Sequence, residues 1–196
     1  MVTTATATYK LDVDGILRNF VDSFHRTYIK YYPEHEDQIK PVNGWGLDKV
    51  YPLGKKVNDF MYEEHLEEVF LEADILPGAF EFVGKLREHG KIHIVTFQPV
   101  GKEIPTILWL QKYKIKYDAI SIIFDKTQID GTCLIDDGLH NLVAEAKSGK
   151  SVPVALACPW NTEWDGWRFD TYDEIVNFVS MINPNLSTKV IDISGI

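Results

Sequence analysis

The chain has 196 residues, of which 45% are hydrophobic and 25% charged, and a formal net charge of −9. That length supports one substantial core with room for a small accessory lobe, in a composition ordinary for a soluble globular protein. The acidic balance argues against a polynucleotide partner, because phosphate backbones demand basic patches, but it leaves room for a small phosphorylated ligand.

Residues 1–8 are Thr/Ala-rich, with no basic start and no long apolar stretch, and do not read as a signal peptide. Residues 8–13 read as a strand that runs into Asp12-Val13-Asp14-Gly15. Side chains alternate along a strand, so the two carboxylates share a face, and the glycine lets the chain turn sharply. Such a pair either attracts a hard divalent cation or forms an Asx-rich turn, and taken alone the two readings weigh equally. Through residues 16–32, Leu17, Phe20, Val21, Phe24 and Tyr28 recur at helical spacing. Residues 33–56 are broken by prolines and glycines, rich in aromatics and without a period. Helical patterning resumes over 57–71.

Pro77-Gly78 is a strong breaker. Beyond it the spacing predicts a helix over 79–88 ended by Gly90, a strand over 92–96, a helix over 104–113 and a strand over 119–124. A strand over 132–135, a helix over 139–146 stopped near Gly149, a strand over 152–157 and a helix over 172–181 follow. Residues after Pro184 carry no assignment. Strands alternating with helices predict an α/β fold whose parallel sheet is covered on both faces. The core then comprises residues 1–18 and 77–196, with residues 19–76 inserted after the first strand as a lid. No apolar run approaches the roughly 18–20 residues that span a bilayer, so no membrane association is expected. Cys133 and Cys158 lie in strand-like apolar runs, which predicts buried free thiols and a cytoplasmic setting. The six histidines form no zinc-binding pattern, and His93 alternates with Ile92 and Ile94 as a structural residue would.

In open parallel sheets, ligands bind outside the carboxyl ends of the strands. Asp12 and Asp14 stand at one such end. At another, Thr96 offers a hydroxyl and an N–H to a phosphate oxygen. Asp125-Lys126 follows a third strand with an ammonium group, and Asp136-Asp137-Gly138 follows a fourth with a second acidic pair. Each alone has an ordinary structural reading: Thr96 as a helix cap, Lys126 as a solvated loop lysine, Asp136 and Asp137 as a cap. Lys102 competes with Lys126 for the cationic role. Four such groups in this order, all at strand ends, are far less expected by chance than any one.

Asp-x-Asp-Gly, a strand-end Thr, a Lys and Asp-Asp together resemble the haloacid dehalogenase (HAD) superfamily of phosphohydrolases. The run from Asp125 through Asp137, with Leu76-Pro77-Gly78-Ala79 and Pro159-Trp160-Asn161, is similar to the 5′(3′)-deoxyribonucleotidase family. The resemblance covers nearly the whole core and is weak in the insertion, where Phe20 lands on a position associated with the nucleobase pocket. It implies a Rossmann-like three-layer core with a small, mainly helical cap after the first strand. It also implies Mg²⁺-dependent dephosphorylation of (deoxy)nucleoside monophosphates. Asp12 would be the nucleophile and Asp14 the proton shuttle, with Thr96 and Lys126 on the phosphoryl oxygens. The metal would be held by Asp12, the Asp14 carbonyl, and one or both of Asp136 and Asp137.

One departure stands out. The family commonly has a small hydroxyl residue and then proline straight after the motif threonine, whereas this chain has Thr96-Phe97-Gln98-Pro99. Phe97 therefore joins Phe20 and Trp45, which lies between Gly44 and Gly46, as a candidate substrate-pocket residue. The other insertion aromatics are expected mostly to pack the lid. Rival readings are a phosphatase for sugar phosphates or other small monoesters, a non-catalytic phosphoryl-binding protein, and a phosphoryl transferase to an acceptor other than water. A homodimer is compatible with such a chain.

Overall fold

A computed structural model describes residues 6–182. The unassigned segment after Pro184 lies outside the described residues. Strand β1 (Ala7–Leu11) is followed by helix α1 (Phe20–Tyr31), short 3-10 turns, and the segments α2 (Val57–Asp59) and α3 (Leu66–Phe70), joined by a π-helical turn over Phe60–Glu64. Then come α4 (Ala79–His89), β2 (Gly90–Thr96), α5 (Ile104–Lys112), β3 (Ala119–Ile122), β4 (Cys133–Asp136), α6 (Leu139–Ser148), β5 (Val152–Leu156), β6 (Trp167–Phe169) and α7 (Tyr172–Ser180).

The six strands form one parallel sheet in the order β3-β2-β1-β4-β5-β6. Their apolar runs are buried because helices cover both faces. Leu11, Ile92, Ile94, Leu134, Ile135 and Val154 are all fully buried. Strand order reverses between β1 and β4, where Leu11 pairs with Ile135, and such a reversal opens a crevice at the strands' carboxyl ends. Local chemistry agrees with the element ends. A proline occupies the first turn of α5, Gly149 ends α6 in a left-handed conformation at φ 63°, and Thr171 with Glu174 forms a capping box on α7.

Two expectations need correction, and one strand was not anticipated. The helical spacing from residue 16 does not begin a helix: α1 starts at Phe20. The carbonyl of Val13 accepts from the N–H groups of both Leu17 and Arg18, closing a tight turn, and Ile16 and Leu17 pack into the main core. Helix α4 ends at Gly90 as the spacing predicts, and Gly90 also opens β2 in extended backbone, where a Cβ would come within 2.6 Å of the Ala7 carbonyl. Cys158 lies outside a strand, half-buried at the head of a 3-10 turn after β5, although both cysteines are free. Strand β6 was not anticipated, since three residues are too few to show a period.

The insertion has its own apolar cluster: Phe24, Tyr28, Val50, Tyr51, Val57, Phe60, Met61, Val69 and Phe70 are buried together, apart from the cluster around the sheet. His93 is a structural residue, its Nε2 lying 2.9 Å from the Ser121 hydroxyl on the neighbouring strand. Among the described residues, no helix is long and apolar enough to cross a membrane.

Candidate active site

The turn after β1 sets the first two carboxylates. Asp12 continues the ladder for one residue, its N–H donating to the Ile135 carbonyl at 3.1 Å. Gly15 then turns the chain at φ 76°. It also faces the residue that follows β4, because a Cβ at residue 15 would collide with the Asp137 carboxylate. The glycine in the motif thus meets two demands: a left-handed backbone and the absence of a side chain against the opposing acid.

Lys126 reaches the same place from the turn after β3. Its ammonium lies 2.9 Å from Asp12 Oδ2 and 2.6 Å from Asp136 Oδ2, with all three side chains buried. The turn is secured from beneath by Lys10 of β1, whose ammonium donates to the Lys126 and Ile129 carbonyls and pairs with Glu145 at 2.8 Å. Lys102 does not compete: it bridges to Glu63 at the surface, 2.6 Å away. Asp136 also accepts from the Gly138 N–H at 2.8 Å and the Asn141 amide at 3.1 Å. Asp137 accepts from the Trp160 indole N–H at 2.9 Å.

Asp12, Asp136 and Asp137 bring carboxylate oxygens within 4.8 Å of one another. Burial, reinforced by the Asp136 and Asp14 charges, pushes the Asp12 carboxyl up to about 6 against the pull of Lys126. Burial and the Asp136 and Asp12 charges hold Asp137 well above the ordinary carboxylate range. Burial alone would lower Lys126, but Asp12 and Asp136 together raise it. Burial leads the two carboxyl shifts, and the sharing of a single ammonium by three buried carboxylates adds to them, since negative charge is in excess. An all-oxygen donor set with that excess suits a hard divalent cation such as Mg²⁺.

A cleft of about 340 Å³ opens over this cluster. Asp12, Asp14, Thr96, Lys126 and Asp137 line it from the sheet side, and Phe20 and Trp45 from the insertion, with Phe97 also on its wall. Asp136 lies beneath, fully buried. The eight predicted cleft residues therefore meet in one place. Phe97 is 42% exposed and packs edge-on against Phe124 with ring centres 5.3 Å apart. Trp45 lies over His140 at 4.4 Å, joining the insertion to the start of α6. Most of the other aromatics of residues 19–76 pack on one another, with Phe24, Tyr28, Tyr51 and Phe60 in that segment's buried cluster.

Family comparison gives the wider setting. The model of the "5' nucleotidase, deoxy (Pyrimidine), cytosolic type C protein" family matches residues 7–184. The chain belongs to that family. It is a hydrolase of the phosphatase and nucleotidase class. A relative from Chlorobaculum tepidum, named "Putative 5'(3')-deoxyribonucleotidase", is 22% identical over 185 residues, covering 87% of this chain and 90% of the relative. Among solved structures, the haloacid dehalogenase-like protein SP0104 of Streptococcus pneumoniae superposes with a TM-score of 0.58 at 13% identity, covering 90% of this chain and 99% of that one. The "putative HAD-hydrolase YfnB" of Bacillus subtilis, solved bound to magnesium, gives 0.60 at 12% identity with the same coverage. At such identities these structures speak for the HAD-like fold.

Three residues escaped the sequence reading. Arg18 forks onto Asp14, with Nε 2.7 Å from Oδ1 and Nη2 2.9 Å from Oδ2. The Gln98 amide donates to Asp14 Oδ2 at 3.3 Å. Trp160 holds Asp137. Signals existed: Arg18 follows Asp14 by four residues, Gln98 sits in the departure after Thr96, and Trp160 is the centre of Pro159-Trp160-Asn161.

Proposed function

We propose that the protein is a Mg²⁺-dependent phosphomonoesterase that removes phosphate from (deoxy)nucleoside monophosphates through an aspartyl-phosphate. The observation that carries the reading is the convergence of Asp12, Asp14, Thr96 and Lys126 on one cleft above three clustered carboxylates. Asp12, Asp136 and Asp137, with the Asp14 carbonyl, would hold the metal. Bound there, Mg²⁺ would offset the negative charge that builds on the phosphoryl oxygens.

In the first step an Asp12 carboxylate oxygen attacks phosphorus in line, the bond to the ester oxygen breaks, and Asp14 gives that oxygen a proton. In the second, Asp14 takes a proton from water, the water oxygen attacks phosphorus, and the bond to Asp12 breaks. Lys126 and Thr96 hold the phosphoryl oxygens throughout, and a positioned ammonium is worth most in a buried site. The Val13 N–H serves Asp12 itself, donating to Oδ1 at 2.8 Å, and is not assigned to the phosphate.

Residues 19–76 act as the cap and choose what the phosphate is attached to. Phe20, Trp45 and Phe97 offer the flat apolar faces that a nucleobase stacks upon. A small monoester such as a sugar phosphate is the second reading, since Phe97 departs from the family pattern on the wall of the cleft that the leaving group would meet. The two free cysteines fit a cytoplasmic setting.

The test is phosphate release from ribo- and deoxynucleoside 5′- and 3′-monophosphates and sugar phosphates, with and without Mg²⁺. Mg²⁺-dependent release favouring deoxynucleotides is expected. Preference for sugar phosphates would overturn the substrate assignment, and no release from any monoester would overturn the catalytic reading.

A further inference from the structure

Arg18 is a cation that the chemistry above does not use, yet it is fully buried beside the cleft. A guanidinium is costly to bury unless its donors are met, and here each of its three nitrogens donates, through four hydrogen bonds in all. Besides the two bonds to Asp14, Nη1 donates to the Phe70 carbonyl at 3.0 Å and Nη2 to the Thr106 hydroxyl at 3.1 Å. The rings of Phe70 and Trp109 lie 5.0 and 5.4 Å from its central carbon. Its backbone bridges to Ile75, and the Leu76 N–H donates to the Leu17 carbonyl beside it. The fork is thus fixed by α5, by the end of α3 and by the chain leaving the insertion.

Asp14 needs such a hold. It precedes the left-handed Gly15 on a tight turn, and its side chain is 23% exposed to the cleft. A fork–fork contact fixes both carboxylate oxygens in one plane, which a point charge does not. The two oxygens are not equivalent. Oδ2 accepts from Arg18 Nη2 and from Gln98, whereas Oδ1 accepts from Arg18 Nε alone.

We propose that Arg18 is the positioning residue for Asp14: it locks the carboxylate with Oδ1 as the oxygen that exchanges protons with the leaving group and with water. This rests on the phosphatase reading above. Arg18 acts through Asp14 and contacts no phosphoryl oxygen, so its effect should follow how far the leaving group depends on a delivered proton. A sugar hydroxyl leaves poorly without one, while p-nitrophenolate leaves unaided.

The experiment is first-turnover release of the alcohol from a nucleoside monophosphate and of nitrophenolate from p-nitrophenyl phosphate, in native protein and in Arg18→Met. The expected loss is about 100-fold for the nucleotide and less than about 5-fold for the nitrophenyl ester, the ordinary scale of acid catalysis. Asp14→Asn should show the same split. Equal losses on both esters, or no loss on either, would overturn the proposal. If Arg18→Met fails to fold, Arg18→Lys keeps the charge but not the fork, and the same split is expected of it. Native protein that releases neither product would instead sink the phosphatase reading.

Discussion

On the floor of the cleft each charged side chain is tied by short directional contacts, whereas the insertion above is held by rings packed on rings. Lys126 sits between Asp12 and Asp136 at 2.9 and 2.6 Å, and Asp136 is held in turn by Gly138 and Asn141. In the insertion, Tyr51 lies 4.8 Å from Phe24 and 4.7 Å from Tyr28, ring centre to ring centre, and Phe60 packs on both. Directional bonds fix atoms to the tolerance that in-line transfer needs. Ring packing is less particular about orientation, and suits a surface that must meet the variable part of a substrate.

The largest effect should follow from a change on the floor that leaves the fold alone. On the proposed mechanism Asp12→Asn removes the attacking oxygen while keeping shape, and turnover of any monoester should fall by about 10⁴-fold or more, equivalent to about 5 kcal/mol of barrier. Phosphate release measures the loss, and an unchanged melting temperature shows the fold is kept. Activity above about a tenth of native would remove Asp12 as nucleophile. In the insertion the corresponding change acts on stability. Phe60 is 1% exposed at the centre of the ring cluster, and Phe60→Ala should cost about 3–5 kcal/mol in denaturant unfolding. A cost under about 1 kcal/mol would mean that the rings do not form a packed core.

The same division governs what could be read from sequence. Strand-end chemistry was legible because β-strand alternation and parallel-sheet topology place Asp12, Thr96, Lys126 and Asp137 together without reference to distant loops. The limits of α4, α5 and α6 were legible because glycine, proline and apolar spacing act locally. Arg18 was not, because its fork depends on a turn closed by the Val13 carbonyl rather than on helical spacing. Cys158 and β6 fell to the same cause: tertiary contacts, such as the Asn161 amide on the carbonyls of Asp137 and Leu156, shape that segment more than its own composition. In the insertion, aromatic content revealed a core but not its 3-10 and π turns, which follow from how the rings meet.

A third effect sharpens the electrostatic side of the comparison. Three carboxylates against one lysine leave the floor under strain that a divalent cation relieves, so Mg²⁺ should stabilise the folded protein. At about 100 times its dissociation constant the gain is about 2.7 kcal/mol, read as a rise in melting temperature that a chelator reverses. Asp137→Asn should shrink that rise, because it removes one donor while the insertion stays intact. No shift with Mg²⁺ in native protein would argue that Lys126 alone balances the floor.

The smallest effect belongs to the contact that the proposed function gives residues 19–76 with the leaving group. Phe20 opens α1, lines the cleft and stacks on Phe70 with centres 5.4 Å apart and planes at 24°. If a base stacks on it, Phe20→Ala forfeits about 1–3 kcal/mol, which raises KM for a nucleotide by about 5- to 150-fold with little change in kcat. Deoxyribose 5-phosphate separates this from a packing defect, since it carries the same sugar and phosphate but no base. Its KM should not move in the variant. An equal rise for both substrates would show that Phe20 acts by setting the start of α1, and would shift the search for the base-binding face to Phe97 and Trp45.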